Sequence, residues 1–198
     1  TADESDRVSA TLERALGVYS EVVVKPAVGA SSFDTFRVVA ADLAAPFTFV
    51  EDPAVLELRG RPTALPEGKT EFARKAEFFD ALFAGVPCLV QPYIPEVASQ
   101  GEYSLFYFAG ALSHAMLKRP KAGDFRVQEE YGAEHQQVAF TDVPAGVVDC
   151  AKRALAALPS SRPPLYCRVD VVALSTARLQ QAAADPDLFV VASGGVDL

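Results

Sequence analysis

The sequence predicts an α+β fold in which antiparallel hairpins and amphipathic helices follow one another along the chain. In two places a β-branched or aromatic segment is followed by a turn of small residues and then by a second such segment. These predicted hairpins are Glu21–Lys25 with Phe36–Ala40, and Tyr103–Ala109 with Leu112–Leu117 around Gly110. Two further segments, Lys69–Ala84 and Pro144–Leu158, place apolar residues three or four apart, which predicts helices with one buried face.

Length and composition limit the class of protein. The 198 residues suffice for one large domain or two small lobes, and the net charge of −8 argues against nucleic acid as the main partner. No apolar run reaches the ~20 residues of a membrane helix, and the acidic start TADESDR is unlike a signal peptide. The widely spaced Cys88, Cys150 and Cys167 indicate buried thiols in a reducing, cytoplasmic compartment. The classes of function that remain are small-molecule binding and protein interaction.

The other elements are predicted from shorter signals. Ser5–Leu16 is expected to form a helix that ends at Gly17, because its apolar residues recur at a spacing of four. The proline-rich residues 42–68 are expected to connect elements, with one strand at Phe47–Val50. The remaining predictions are strands at Val86–Val90, Gln136–Phe140, Leu165–Leu174 and Leu188–Ala192, and a helix or loop over Thr176–Ala184.

A basic cluster follows the second hairpin. Lys118, Arg119, Lys121 and Arg126 fall within a short stretch of an acidic chain. Such a cluster fits an anionic ligand, above all phosphate, because Arg offers a planar pair of donors and Lys a point charge. A solvated hairpin tip explains the same residues equally well, since Lys and Arg also protect edge strands.

Lys25 ends a predicted strand and is followed by a loop of small residues, Ala27–Ser32. Small residues let backbone N–H groups approach phosphate oxygens, and Lys25 could reach the same oxygens. The loop is not a Walker A motif, because GxxxxGK[ST] is absent and the loop leads into a strand. An ordinary hairpin turn is the other interpretation.

Asp170 lies within a hydrophobic strand, flanked by Val169 and Val171. A carboxylate in that setting needs a partner, because burying an uncompensated charge is costly. Arg168, another basic side chain and a metal ion are all candidates, and a plain salt bridge has at least equal weight.

Taken together in this order, the motifs resemble those of an ATP-grasp domain. The resemblance is closest to the glutathione-synthetase-like branch, which includes the ligase of cycloserine biosynthesis. The segments that carry it are Val24–Pro26 with Gly29–Ser32, Gln91–Glu96, Gly101–Leu105, Ser113–Pro120, Gly123–Gln128 and Arg168–Asp170. The resemblance implies two lobes of mostly antiparallel sheet with flanking helices, residues 1–90 and 91–198, and a nucleotide site between them.

The resemblance also implies a role for individual residues. Lys25 would grip the α and β phosphates of ATP beneath the loop of Gly29, Ser31 and Ser32. The backbone of Gln91, Tyr93 and Ile94 would bind adenine. Glu102 would contact ribose or the nearby site, and Arg126 would neutralise the transferring phosphoryl group. Lys118 would contribute positive charge to the phosphate or to the second substrate, and Asp170 and Asp197 would hold Mg²⁺.

The function implied is an ATP- and Mg²⁺-dependent ligase that joins a carboxylate to an amine or thiol through an acylphosphate, with an amino-acid-like small molecule as substrate. The chain departs from the family pattern in two ways: Gly195 stands where a second metal-binding acid is expected, and the family's upstream substrate domain is expected to be absent. These departures leave open a non-catalytic ATP-binding module. An ATP-grasp kinase, which would pass phosphate to a hydroxyl, is the remaining alternative.

Overall fold

The computed structural model describes residues 7–29, 31–50, 65, 68–159, 162–178 and 190–192. The chain forms two compact units, Thr1–Tyr93 with Asp185–Leu198 and Ile94–Ala184. The helices are α1 (Val8–Leu16), α2 (Ala40–Ala44), α3 (Lys75–Leu82), α4 (Glu96–Gln100) and α5 (Ala145–Ala156). The strands are β1 (Glu21–Pro26), β2 (Phe36–Val39), β3 (Phe47–Val50), β4 (Lys69–Phe72), β5 (Cys88–Pro92), β6 (Glu102–Phe108), β7 (Ala111–Arg119), β8 (Glu134–Val138), β9 (Tyr166–Val171) and β10 (Val190–Ala192).

The first unit contains a four-stranded antiparallel sheet in the order β10-β5-β1-β2, with β3 and β4 as a separate pair. Val22 and Val24 of β1 are fully buried and pack into the same core as Leu12 of α1 and Phe78 of α3. Because side chains alternate along a strand, Glu21, Val23 and Lys25 lie on the opposite face of this sheet.

Phe78 is the centre of the first unit's core. Its ring contacts five other phenylalanine rings with centroids 4.7–5.7 Å apart, at angles between tilted and edge-to-face. Those rings belong to Phe36, Phe47, Phe49, Phe72 and Phe79. Offset and edge-to-face pairs add stability to the apolar area that they bury.

The prediction of one helix over Lys69–Ala84 is wrong in its first part. Lys69–Phe72 is strand β4, which pairs antiparallel with β3, and helix α3 begins only at Lys75. The side chains of β4 alternate between exposed and half-buried, as in a strand with one covered face. Phe72 points inward in either period, so its position in the pattern could not distinguish a strand from a helix.

The second unit is a four-stranded antiparallel sheet in the order β8-β7-β6-β9. Leu105 and Tyr107 of β6 pack with Val147 and Ala151 of α5 on one face of it. Because side chains alternate along a strand, the neighbours of Leu105 and Tyr107 in β6 project from the other face of the sheet, here called the open face. The open face carries Glu102, Ser104 and Phe106 of β6, His114, Met116 and Lys118 of β7, and Arg168 and Asp170 of β9.

The mixed helical and antiparallel fold class is confirmed, and both predicted hairpins are present. The short helices α2 and α4 were not predicted, and β5 extends through Pro92, which lies opposite Val22. Cys88 is buried, whereas Cys150 is exposed, so the prediction of buried thiols is wrong for Cys150. Among the described residues, none of the helices has both the length and the apolar character to cross a membrane.

Candidate functional site

Three of the predicted site residues meet on the open face of the second unit. Pairing of β6 with β7 places Glu102 opposite Lys118, and pairing of β6 with β9 places Ser104 opposite Asp170. The Nζ atom of Lys118 lies 3.3 Å from Oε1 of Glu102 and 3.7 Å from Oδ1 of Asp170. One ammonium group therefore lies between two carboxylates supplied by different strands.

Asp170 has further partners on the same face. The hydroxyl of Ser104 donates to its Oδ1 at 2.5 Å, and Arg168 donates from Nε at 3.0 Å and Nη2 at 2.8 Å to its Oδ2. Burial opposes ionisation of Asp170, but the hydrogen bonds from Ser104 and Arg168 and the charge of Lys118 outweigh it and lower the pKa of Asp170. Asp170 therefore forms ion pairs with two cations, Arg168 and Lys118, as its interpretation as a salt-bridge partner predicts.

The pKa of Glu102 is shifted in the opposite direction from that of Asp170. Burial and the neighbouring charge of Asp170 raise the pKa of Glu102, and Lys118 only partly offsets them. Two carboxylates that share a cation thus have pKa values displaced in opposite senses. Paired acids with displaced pKa values are typical of functional sites, although structural ion pairs produce the same signature.

Glu102, Ser104, Lys118, Arg168 and Asp170 are here called the open-face cluster. Its two carboxylates and the Ser104 hydroxyl are oxygen ligands of the kind that Mg²⁺ prefers. By chemistry, this donor set fits the ion that the resemblance implies. Within the part of the chain that the structure describes, no group of three or more His, Cys, Asp or Glu residues could hold a metal. Asp197, the second predicted ligand, lies outside the described residues.

Arg126 belongs to a different cluster of the second unit. Its Nη2 donates to Oδ2 of Asp124 at 2.7 Å, and the guanidinium lies over the ring of Tyr131, with Cζ 3.5 Å from the ring centroid. The bonds to Asp124 raise the pKa of Arg126 despite its partial burial. The described contacts of Arg126 run to this pair and to Phe125, and none joins it to Lys118 or Asp170.

Lys25 and Gln91 lie together in the first unit. In the β1–β5 ladder, Val23 is opposite Gln91 and Lys25 is opposite Leu89, on the face that points away from the core. Beyond them, Tyr93 lies beneath Arg37, whose Cζ is 4.0 Å from the ring centroid. Arg37 also forms an ion pair with Glu21. Sequence reasoning missed Arg37, because only strand register brings it to Tyr93.

The predicted phosphate loop has an unusual backbone. Ser31 and Ser32 adopt φ angles of 51° and 54°, and Asp34 adopts 53°. Residues other than glycine rarely occupy this left-handed region, because Cβ then crowds the following carbonyl.

Ile94, the last residue of the predicted adenine-binding segment, lies in the second unit. Its carbonyl accepts the N–H of Val97 at 3.1 Å, in the turn that leads into α4.

No family model and no curated protein matches the chain. Among solved structures it is similar to D-cycloserine synthetase, with a TM-score of 0.53 and 26% sequence identity over 84% of this chain. The predicted resemblance to an ATP-grasp ligase is confirmed. The chain spans about half, 48%, of that ATP-grasp enzyme.

Glu102, Lys118 and Asp170 are thus brought together on one face, and Lys25 and Gln91 share another. Sequence reasoning assigned no role to Ser104, although it lies within a segment that carried the ATP-grasp resemblance, and its position opposite Asp170 depends on register. It also assigned none to Asp124, although an acid two residues before Arg126 is a local signal that the sequence does contain.

Proposed function

We propose that this chain is the ATP-binding part of an ATP- and Mg²⁺-dependent ligase that joins a carboxylate to an amine or thiol. The observation that carries the proposal is the open-face cluster, in which Lys118 lies between Glu102 and Asp170 at hydrogen-bonding and ion-pairing distances. The similarity to D-cycloserine synthetase supports the same class of reaction. An amino-acid-like small molecule is the proposed substrate.

The residues proposed to bind ATP are assigned to the predicted lobes, 1–90 and 91–198. In the first lobe, Lys25 binds phosphate oxygens and the loop containing Gly29, Ser31 and Ser32 covers them. The backbone of Gln91, Tyr93 and Ile94 binds adenine, and Glu102 contacts the ribose or its surroundings. Asp170 and Asp197 hold Mg²⁺, which when bound neutralises phosphate charge.

The residues of this chain fit what phosphoryl transfer demands. In-line transfer depends on positioning and on neutralising charge, more than on a protein nucleophile. Lys118 and Arg126 supply positive charge toward the transferring phosphoryl group, which passes to the substrate carboxylate. ADP leaves as the acylphosphate forms, and the amine then attacks the acyl carbon and displaces inorganic phosphate. The hydrogen bonds from Ser104 and Arg168 and the charge of Lys118 lower the pKa of Asp170 and so favour its charged form, which is the form that binds a metal.

A second candidate is a non-catalytic ATP-binding module. It is favoured by the charge balance of the open-face cluster, where Lys118 and Arg168 already compensate Glu102 and Asp170. The two functions differ in whether ATP is consumed.

Release of ADP and inorganic phosphate over a panel of amino acids, with ATP and Mg²⁺ present, tests the proposal. A ligase releases both products only when a suitable acid and amine are supplied. Binding of ATP without any release, in this chain and in a longer chain that includes both flanks, contradicts the ligase and supports the module. A kinase would instead leave a stable phosphorylated alcohol and release no free phosphate.

A further inference from the structure

Asp124 is bonded to its own backbone neighbours and to Arg126 at the same time. Its Oδ1 accepts the backbone N–H of Phe125 at 2.7 Å and that of Arg126 at 3.0 Å, which fixes the carboxylate against the turn. The same Oδ1 accepts Nε of Arg126 at 3.0 Å, and Oδ2 accepts Nη2 at 2.7 Å. These bonds lower the pKa of Asp124 to about 2, because they favour its charged form over the cost of burial.

The geometry of these bonds leaves part of the guanidinium directed elsewhere. A guanidinium presents two edges suited to bidentate acceptors, one formed by Nε with one terminal nitrogen and one formed by the two terminal nitrogens. Asp124 occupies the first of these edges. Tyr131 covers one flat face of the group at 3.5 Å. The plane and direction of the guanidinium are therefore fixed while its terminal edge is not used by Asp124.

We propose that Asp124 and Tyr131 are positioning residues that hold the Arg126 guanidinium ready to donate its terminal edge to the phosphate oxygens of ATP. This inference rests on the proposed function, since it takes Arg126 as a phosphate ligand. A preorganised arginine binds an anion more tightly, because the entropy of ordering its long side chain is lost on folding and not on binding.

The opposite expectation follows from charge alone. Asp124 is an anion beside a proposed anion site, so removing its charge would favour ATP binding if Arg126 acted only as a positive charge. Positioning predicts that the same change weakens binding. The sign of the effect therefore distinguishes the two accounts.

The decisive variant is Asp124→Asn. Asparagine keeps one oxygen for the backbone N–H groups of Phe125 and Arg126, but its amide nitrogen cannot accept a hydrogen bond from Nη2. The matched control is Asp149→Asn, which makes the same change of charge at an exposed position of α5. The Kd for ATP with Mg²⁺ is measured by calorimetry for both variants, for Arg126→Ala and for the double variant Asp124→Asn/Arg126→Ala.

We expect Asp124→Asn to weaken ATP affinity about three- to tenfold, the cost of ordering one long side chain on binding. Asp149→Asn should leave the affinity unchanged. In the Arg126→Ala background, Asp124→Asn should have no further effect, because there is no guanidinium left to position. A purely structural role for Asp124 would not produce that dependence on Arg126.

Other outcomes overturn the inference in distinguishable ways. If Arg126→Ala weakens binding while Asp124→Asn leaves it unchanged or tightens it, the positioning role is wrong and the proposed function stands. If the wild-type chain binds no ATP, both fail together. Should Asp124→Asn not fold, Tyr131→Leu against Tyr131→Phe tests the other contact. Tyr131→Leu removes both the ring and the hydroxyl that bonds to Arg126, whereas Tyr131→Phe keeps the ring, so Tyr131→Leu should weaken binding more than Tyr131→Phe. Equal affinity of the two Tyr131 variants would contradict the inference.

Discussion

Replacing Lys118 by methionine should destabilise the second unit, because it removes the positive charge that lies between the carboxylates of Glu102 and Asp170. Methionine keeps most of the side-chain length and removes the charge. Lys118 is only 12% exposed, and Glu102 and Asp170 are 21% and 32% exposed, so water cannot fully replace the missing ammonium. The variant leaves two like charges close together in a partly buried site.

The size of the effect can be estimated from the distances. At an effective dielectric constant of about 20, the attraction across the 3.3 Å and 3.7 Å separations is roughly 5 kcal/mol each. Much of this is offset by the dehydration of the ammonium group in the native protein. We therefore expect a net loss of about 2 kcal/mol in the free energy of unfolding at pH 7.

The loss should depend on pH in a defined direction. Burial and Asp170 already raise the pKa of Glu102, and Lys118 is what limits the rise, so the variant raises it further. A group whose pKa is raised on folding contributes its stability below its unfolded pKa, about 4.3 for Glu, and loses it as the pH climbs through the folded pKa. The penalty of Lys118→Met should therefore be full at pH 7 and smaller near pH 4.5.

Urea unfolding at both pH values measures this penalty, with Lys152→Met on the exposed side of α5 as the matched control. The control should change stability by less than about 0.5 kcal/mol. Equal losses in the two variants, or a penalty for Lys118→Met that does not change with pH, would refute the electrostatic account of the cluster.

Two backbone predictions follow from the same structure. Gly101→Ala should lower the free energy of unfolding by about 3 kcal/mol or more, because its φ is +87° and the new Cβ would lie 2.7 Å from the carbonyl oxygen of Lys118. Gly123→Ala, at φ +86° with no atom within 4 Å of the new Cβ, should cost only about 1 kcal/mol in the same urea experiment, and a similar cost at both sites would disprove the steric reason. Ser32→Gly should raise stability by roughly 0.5–1 kcal/mol because it relieves a φ of 54°, whereas Ser99→Gly within α4 should lower it, and thermal unfolding of both variants checks this.

The sequence predicted those elements whose signals are local. Tyr103–Ala109 is rich in aromatic residues, and Gly110 separates it from a second apolar segment, Leu112–Leu117, so the hairpin needed no tertiary information. The segment 69–84 failed because Phe72 fits both a strand and a helix, and pairing with β3 decides between them. Helices α2 and α4 have five residues each, too few for a helical period to appear in the pattern.

The site residues follow the same rule: contacts that are local in sequence could be predicted, and contacts that depend on strand pairing could not. Lys118 and Asp170 were singled out from the sequence and Glu102 from the resemblance. That the three residues meet depends on the registers of β6 with β7 and β9, which the sequence does not encode locally. Ser104 and Arg37 were missed for that reason. The interaction of Arg126 with Asp124 is local, and the spacing of an acid two residues before the arginine could have indicated it.

The most direct test of the account is the stabilisation of the chain by ATP with Mg²⁺, measured as a shift in Tm for the wild type and for Lys25→Ala and Arg126→Ala. Lys69→Ala, at an exposed lysine of the first unit, and Arg153→Ala, at an exposed arginine of α5, are the matched controls. A ligand that binds only the folded state raises Tm, and at a fixed ligand concentration the rise is larger when the affinity is higher. We expect a clear rise in the wild type and both controls, and a smaller rise in Lys25→Ala and Arg126→Ala. The same rise in all five proteins, or none in the wild type, would contradict the assignment of these cations to the phosphates of ATP.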